Sequence, residues 1–301
     1  MTIVEPFWVE VPRDVVRVSG PDAISYLQGQ ISQDVEALVE GASAWSFVLQ
    51  PQGKVDAWFR VTRTGGVPGV GGSPGADAVL LDVDRGFGDA MVSRLERFKL
   101  RTKADFEPLP GWRCIAVRGT PDPAFRHERG PEHALVTESG WGVVEGFDVL
   151  GPEPVPPQGV REGTVEQYEA LRIECGVPAM GKELTERTIP AESGVVERSV
   201  SFTKGCYTGQ ELVARIDSRG GNVPRRLRGL VLDGDDVPDT GTPLTIEGTQ
   251  VGAVTSAVRS SRLDAVIALA YVKRDVDVPT GGEVAGRVAR IEALPLLRSG
   301  A

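Results

Sequence analysis

Reactive chemistry is most evident in the segment KGCYTGQE at residues 204–211. Cys206 lies between Gly205 and Gly209, and glycines let the backbone turn sharply or approach a ligand closely. Lys204 stands two residues before the thiol, and a nearby ammonium favours the thiolate, which is the nucleophilic and metal-binding form of cysteine. The segment therefore predicts a reactive or metal-binding thiol, and a buried cysteine in a turn is the alternative. Without a histidine base nearby, the pattern disfavours a papain-like hydrolase.

A second candidate is Glu192, which follows the turn Thr188-Ile189-Pro190. A carboxylate on a proline-stiffened turn can accept two hydrogen bonds from one flat, amidine-like edge, such as that of a pterin. A surface glutamate in a loop is the alternative interpretation. The cluster Arg225, Arg226 and Arg228 is suited to an anionic group such as a phosphate, or else is a solvated strand entry.

Composition limits the class of protein. The chain has 301 residues, 42 acidic and 33 basic side chains and a formal charge of −9, which disfavours a protein whose main task is to neutralise nucleic-acid phosphates. A hydrophobic content of 41% supports a buried core, and the length indicates about two domains. Three separated cysteines without a C-x-x-C pair exclude a disulfide framework and a zinc ribbon. Without a basic, apolar leader or a long apolar stretch, we expect a cytoplasmic protein with no membrane partner.

The elements that would position these residues begin with a helix over about 20–31, which we expect Ser19 to cap. A second short helix is expected around 35–38. Apolar runs at 45–49 and 55–61, separated by a Pro-Gln-Gly turn, predict a β-hairpin.

Further along, the glycine-rich stretch 65–75 predicts a loop rather than a phosphate-binding site, because the third glycine position is a proline. A strand is expected at 78–83 and a helix at 89–98. Apolar and polar residues alternate over 100–106, which predicts a half-buried strand. A helix is predicted over 164–175.

Two cysteines, two histidines and five β-type runs in the remaining chain are assigned structural roles. Cys114, in an apolar run, and Cys175, on a helical apolar stripe, are predicted to be core thiols. His127 and His133 are predicted to be solvated loop residues. Five short β-type runs predict a small antiparallel barrel after a boundary near 220–222; they are 228–232, 243–246, 250–257, 266–272 and 283–291.

The segment 204–211 resembles the signature of the YgfZ family of folate-binding proteins, relatives of the aminomethyltransferase (T-protein) of the glycine cleavage system. Residues 19–29 resemble the opening helix of that family, and 49–55 its first hairpin. Residues 172–178 and 190–192 are similar to a block that the family shares with the aminomethyltransferases. The resemblance extends over most of the chain.

This resemblance implies an α+β fold of three small domains in a ring, similar to that of the T-protein, with a small antiparallel β-barrel last. We expect a folate-binding region of two interleaved α+β subdomains at 1–221 and the barrel at 222–301. The implied function is that of an accessory protein for assembly or repair of iron–sulfur proteins, including enzymes that modify transfer RNA. Its implied partners are an A-type assembly protein and iron–sulfur client enzymes, with no direct nucleic-acid contact.

The implied site combines a thiol with a folate pocket. Chemical roles are expected for Cys206, Lys204 and Asp56, and tetrahydrofolate contacts for Glu192, Tyr207, Gln210 and Arg225. Cys206 is also the expected metal ligand, in a 2Fe–2S cluster shared with a partner, because such a cluster needs about four protein ligands.

One departure from the aminomethyltransferases bears on whether the chain is an enzyme. Asp56-Ala57 stands where those enzymes carry two adjacent aspartates, which weakens proton handling beside the folate. An accessory role is therefore the leading interpretation. The alternatives are a tetrahydrofolate-dependent aminomethyl or one-carbon transferase and a redox-sensing protein that oxidises Cys206 reversibly.

Overall fold

The computed structural model describes residues 4–64, 78–121 and 134–297. The predicted loop 65–75, His127 and His133 lie outside the described residues.

Two five-stranded sheets form the larger part of the described chain. In chain order the strands are β1 (Phe7–Val11), β2 (Arg13–Ser19), β3 (Ser43–Leu49), β4 (Val55–Arg63), β5 (Ala78–Asp84), β6 (Asp105–Pro108), β7 (Arg113–Arg118), β8 (Leu135–Glu138), β9 (Gly146–Gly151) and β10 (Arg161–Glu162). The first sheet has the order β10-β1-β7-β9-β8 and the second β3-β4-β5-β2-β6. The chain thus starts in the first sheet, builds the second, and returns to complete the first.

The helices are short and most pack on these sheets. They are α1 (Ala23–Gln30), α2 (Gly88–Glu96), α3 (Val165–Glu174), α4 (Val196–Ser199) and α5 (Gln210–Ser218). Helices α1 and α2 both contact β5, and every residue of that strand up to its last is buried. Strand β5 is therefore covered on both faces, and its buried Asp82 is paired with Arg13 and Arg60. The predicted hairpin β3–β4, the strand β5 and the helices α2 and α3 are all present.

Three local predictions at the amino-terminal side are wrong. Ser19 does not cap α1, because it ends β2 and the helix begins after Asp22, whose N–H donates to the Lys103 carbonyl. Residues 35–38 form no helix, because the Gln28 side chain accepts the Val35 N–H and holds an irregular turn. The predicted strand at 100–106 forms only from 105 onward, and the preceding residues leave Leu100 exposed.

A closed barrel follows the two sheets. Its strands are β11 (Arg225–Leu232), β12 (Pro243–Ile246), β13 (Thr249–Ser260), β14 (Ala265–Lys273), β15 (Thr280–Val284) and β16 (Arg287–Glu292), in the order β11-β14-β13-β12-β15-β16. The run expected as a single strand at 283–291 is a hairpin. Its two turn residues, Ala285 and Gly286, have φ of 51° and 75°, which matches a tight hairpin turn.

The barrel begins close to the expected domain boundary, and that boundary stays a prediction. Strand β11 starts at Arg225, and the barrel has its own apolar interior, with Leu230, Leu244 and Ile291 fully buried. A buried ion pair fastens it to the rest of the chain. Glu183 contacts Arg172 of α3 at 3.1 Å and accepts a hydrogen bond from the Ser256 hydroxyl of β13 at 2.5 Å.

Candidate functional site

The three cysteines differ in exposure. Cys206 is exposed in the loop between α4 and α5, whereas Cys114 and Cys175 are buried, which confirms the prediction that the latter two are core thiols. Burial raises the pKa of the Cys114 thiol and raises that of Cys175 to about 12. A thiol is nucleophilic only as the thiolate, and burial opposes thiolate formation at Cys114 and Cys175. Cys206 is therefore the thiol that is accessible for chemistry.

Lys204 anchors the cysteine loop to the end of α1. Its ammonium donates to the carbonyls of Gln28, Ile31 and Gln33 at 2.7, 2.8 and 2.9 Å. These carbonyls belong to the end of α1 and the turn after it, where a cation is favoured. Burial, partly offset by Asp34 and a second acidic residue, lowers the pKa of Lys204 to about 8. All three N–H groups of the ammonium thus donate to backbone carbonyls. The expected influence of Lys204 on the Cys206 thiol stays a prediction.

Two glycines let the cysteine loop pack against the β3–β4 hairpin. Gly209 has φ of 81°, and a Cβ there would lie 2.5 Å from the Gln50 carbonyl oxygen. Gly53, in the hairpin turn, has φ of 80°, and a Cβ there would lie 2.5 Å from Cβ of Leu212. Any larger residue at either position would push the loop away from the hairpin.

Tyr207 and Gln210 support the same loop. The Gln210 side-chain oxygen accepts the Tyr207 N–H at 3.2 Å, next to the start of α5. The Tyr207 ring is only 8% exposed, and burial raises the pKa of its hydroxyl to about 12. Its ring also lies 5.3 Å from the Lys204 ammonium. Both side chains therefore have structural roles in this loop, and their folate contacts stay a prediction.

Glu192 and Arg225, predicted as separate folate contacts, lie together. Glu192 is 3% exposed in a short 3-10 turn, Pro190–Glu192. Its Oε2 accepts from the Ile189 N–H at 3.3 Å, and both Nε and Nη2 of Arg225 lie 3.1 Å from the same oxygen. Among the described residues, Oε1 has no hydrogen-bond partner. One oxygen of a nearly buried carboxylate is therefore left for a ligand donor.

Asp56 is placed by a β-bulge. The β3–β4 register shifts between Val48 and Leu49, so Asp56 is the extra residue opposite them. Its Oδ2 accepts from Nε of Arg94 at 2.7 Å, and Arg94 also donates to the Leu49 carbonyl at 2.6 Å. The Arg94 side chain is 8% exposed, and its Nη1 has no partner among the described residues. The Asp56 carboxylate thus has Arg94 as a fixed cationic neighbour.

The β3–β4 turn brings the separate sequence segments together. The Gln50 side chain donates to the Glu186 carbonyl at 3.2 Å, and the Val55 N–H donates to the Thr188 carbonyl at 3.0 Å. The turn also packs on α5 through Gly53. Helix α5 in turn contacts the 3-10 turn of Glu192. The segments around 50–55, 186–192 and 204–212 therefore form one continuous site region.

Two further findings concern metal binding and membrane spans. Among the described residues, no group of three or more His, Cys, Asp or Glu side chains is arranged to hold a metal ion. The described helices also include none with the length and apolar character needed to cross a bilayer.

Comparison with known proteins agrees with this geometry. Residues 225–295 match the C-terminal barrel domain of the glycine cleavage T-protein. The chain is 28% identical over 247 residues to the tRNA-modifying protein YgfZ of Pectobacterium carotovorum, covering 76% of this chain and 71% of that protein. It is 29% identical over 270 residues to the mitochondrial iron-sulfur cluster assembly factor IBA57 of Mus musculus, covering 83% and 70%. The chain is similar to YgfZ over 76% of its length.

The fold expected from the resemblance is confirmed by a solved structure. The glycine cleavage aminomethyltransferase T from Bartonella henselae superposes with a TM-score of 0.81 at 18% identity, covering 98% of this chain and 87% of that one. The α+β arrangement of three small domains with a terminal antiparallel barrel is therefore shared.

Sequence reasoning missed two side chains that contact the candidate site residues. Arg94 lies on the same helical face as the buried residues Met91 and Leu95, and a charged residue on an apolar stripe was the available signal. Tyr271, whose ring lies 4.2 Å from the Arg225 guanidinium, gave no separate signal in the apolar run of β14.

Proposed function

We propose that the chain is a folate-binding accessory protein for the assembly or repair of iron–sulfur proteins, with Cys206 as its reactive thiolate. The observation that carries the proposal is the exposed Cys206 thiol in a loop fixed by Lys204 and Gly209, in the same region as the carboxylate of Glu192. Relatives named as an iron-sulfur cluster assembly factor and as a tRNA-modifying protein support it. A contribution to transfer-RNA modification would then be indirect, through iron–sulfur client enzymes.

Tetrahydrofolate fits the chemistry of the Glu192 region. The open Oε1 of Glu192 can accept one hydrogen bond from the amino or ring N–H of a pterin. Acceptance of two parallel hydrogen bonds requires Arg225 to release Oε2, and Arg225 is 38% exposed, so its guanidinium has room to move. We therefore propose Glu192 as the pterin contact and Arg225 as a side chain that shares the same ligand.

An iron–sulfur cluster would be cargo shared with another molecule. Cys206 is the only cysteine exposed, and a 2Fe–2S cluster needs about four protein ligands. The remaining ligands must come from a partner, for which we propose an A-type assembly protein, or from small thiols. Unpaired cysteines also suit a reducing compartment, so we propose the cytoplasm as its location.

The decisive experiment replaces the endogenous gene with Cys206→Ser and assays cluster-dependent enzymes under oxidative stress. Thr203→Ala, at an exposed position in the same loop, is the matched control. We expect client activities to fall to the level of a deletion strain with Cys206→Ser and to stay normal with Thr203→Ala. Normal activities in both the deletion and the Cys206→Ser strain would rule the proposal out.

Thiol labelling tests the chemical premise separately. A native sample treated with a maleimide should be modified at Cys206, and at Cys114 and Cys175 only after unfolding, at rates differing by roughly a hundredfold or more. Rapid labelling of either buried cysteine in the native protein would contradict the assigned exposure.

A one-carbon transferase is the second candidate, and the fixed position of Asp56 beside Arg94 favours it. The test mixes the protein with tetrahydrofolate and candidate amine donors and measures methylene-tetrahydrofolate. Turnover that survives Cys206→Ala and is lost in Asp56→Asn would favour this transferase over the accessory role.

A further inference from the structure

A cavity of about 610 Å³ lies on the outer face of the barrel, beside the Glu192–Arg225 pair. Arg225 of β11 is directly opposite Lys273 of β14, and Tyr271 of β14 is opposite Ala253 of β13. Opposite residues of paired strands point to the same face, so these four side chains share one surface. Together with Thr255 they line the cavity, which we call the barrel hollow.

The charged side chains that line the barrel hollow are both cations, in an acidic protein. Its lining contains Arg225 and Lys273 and no aspartate or glutamate. The chain as a whole has a formal charge of −9, with 33 basic against 42 acidic residues. A concave surface with two cations attracts anions. The hollow therefore differs in the sign of its charged lining residues from the chain as a whole.

Both cations retain unused donors among the described residues. Lys273 donates to the Gln250 carbonyl at 2.9 Å, which leaves two of its three N–H groups. Arg225 directs Nε and Nη2 to Glu192, which leaves Nη1. Its guanidinium carbon lies 4.2 Å from the centroid of the Tyr271 ring, and this cation–π contact keeps the cation beside the hollow. Two neighbouring cations with free donors suit carboxylates or phosphates.

The order of charges along the surface restricts the ligand further. Glu192 offers an acceptor oxygen, Arg225 contacts Glu192, and Lys273 lies beyond Arg225 on the next strand. A ligand that spans this row needs N–H donors at one end and several anionic groups at the other. A folate with a chain of γ-linked glutamates has this polarity, since its pterin donates and each added glutamate brings one more carboxylate.

We propose that the barrel hollow binds the oligo-γ-glutamyl tail of a polyglutamylated tetrahydrofolate, with Lys273 binding carboxylates beyond the first. The inference rests on the proposed folate site and extends it, because it makes the protein selective for the length of the glutamate chain. Arg225 belongs to both parts of the ligand, whereas Lys273 contacts only the tail.

The test measures dissociation constants of tetrahydrofolate with one and with three glutamates by calorimetry at low salt. We expect the triglutamate to bind on the order of tenfold more tightly, and added salt to reduce the difference. Lys273→Met should remove the preference and leave the monoglutamate affinity unchanged. Lys273→Arg should keep the preference, and Lys103→Met, at an exposed position outside the hollow, should behave as wild type.

The outcomes separate this inference from the proposed function. Equal affinity for both folates in the wild type, or an unchanged preference in Lys273→Met, overturns the tail site and leaves the folate site standing. Failure of both folates to bind overturns the folate site and the tail site together. Loss of the preference in the presence of millimolar inorganic phosphate, with phosphate binding that depends on Lys273, would show a general anion site and overturn the assignment to glutamate.

Discussion

Two sets of buried acids and arginines in this chain use the same chemistry in different surroundings. In the inter-sheet network, Arg60 of β4 and Arg118 of β7 both contact Asp148 of β9, at 2.6 and 2.8 Å. All three side chains are less than a tenth exposed. In the Glu192–Arg225 pair the carboxylate is as deeply buried, but its arginine is 38% exposed.

The two regions differ in whether the carboxylate has an oxygen without a hydrogen-bond partner. Both oxygens of Asp148 are taken, one by each arginine, and Arg60 also reaches Asp82 at 2.9 Å. Glu192 has one oxygen occupied and one open among the described residues. A carboxylate with both oxygens paired, such as Asp148, joins the two sheets and has no oxygen left for a ligand, whereas a ligand can add hydrogen bonds to a buried carboxylate with one open oxygen. This contrast favours Glu192 over Asp148 as the proposed ligand contact.

Asp148→Asn gives the largest expected effect. The substitution leaves two buried guanidinium groups without their shared counter-charge, and breaking a buried ion pair typically costs about 3–5 kcal/mol. Urea unfolding would measure the loss. The control is Asp264→Asn, whose carboxylate is 90% exposed, and its unfolding midpoint should be almost unchanged. A similarly small loss for Asp148→Asn would show that the network is not the lock between the sheets.

Acid should weaken the same network. Burial opposes the charge on Asp148, but Arg118 and Arg60 outweigh it and lower its pKa from 3.8 to about 2. Because the folded-state pKa is the lower one, the stabilisation is complete above about pH 5 and is lost as the pH falls towards 2. The shift corresponds to about 2 kcal/mol. Unfolding free energies measured between pH 6 and pH 3 should fall less steeply in Asp148→Asn than in the wild type.

The sequence predicted these two regions unequally, for a physical reason. Glu192, Arg225 and Cys206 lie in segments with distinctive local composition or a family resemblance, so the sequence singled them out, and their roles stay a prediction. The inter-sheet network joins strands that are far apart in the chain, such as those of Arg60 and Asp148, whose separation is 88 residues. Local periodicity carries no information about such pairings. The failed helix at 35–38 has a similar cause, because a side chain from an earlier helix, Gln28, decides its backbone.

Lys204→Met tests an intermediate case, in which a cation is paired with neutral carbonyls rather than with a carboxylate. The variant loses three hydrogen bonds to the end of α1 and the turn after it, and we expect a loss of about 1–3 kcal/mol by urea unfolding. Faster amide hydrogen exchange at residues 28–33 and 204–208 should accompany it. Unchanged exchange there, with Lys103→Met as the exposed control, would show that Lys204 is not the anchor of the cysteine loop.

Arg225→Met should have the smallest effect on stability and the clearest effect on binding. Since Arg225 is 38% exposed, water can replace part of its contact with Glu192, and we expect a loss of about 1 kcal/mol or less. Folate affinity should fall on the order of tenfold, because the variant removes a charge-assisted contact of the ligand. Calorimetric titration and urea unfolding of the same sample measure both quantities. The contrary result is a loss of stability as large as that of Asp148→Asn with folate affinity unchanged. It would show that the Glu192–Arg225 pair is structural, like the inter-sheet network, and that the two regions do not differ in role.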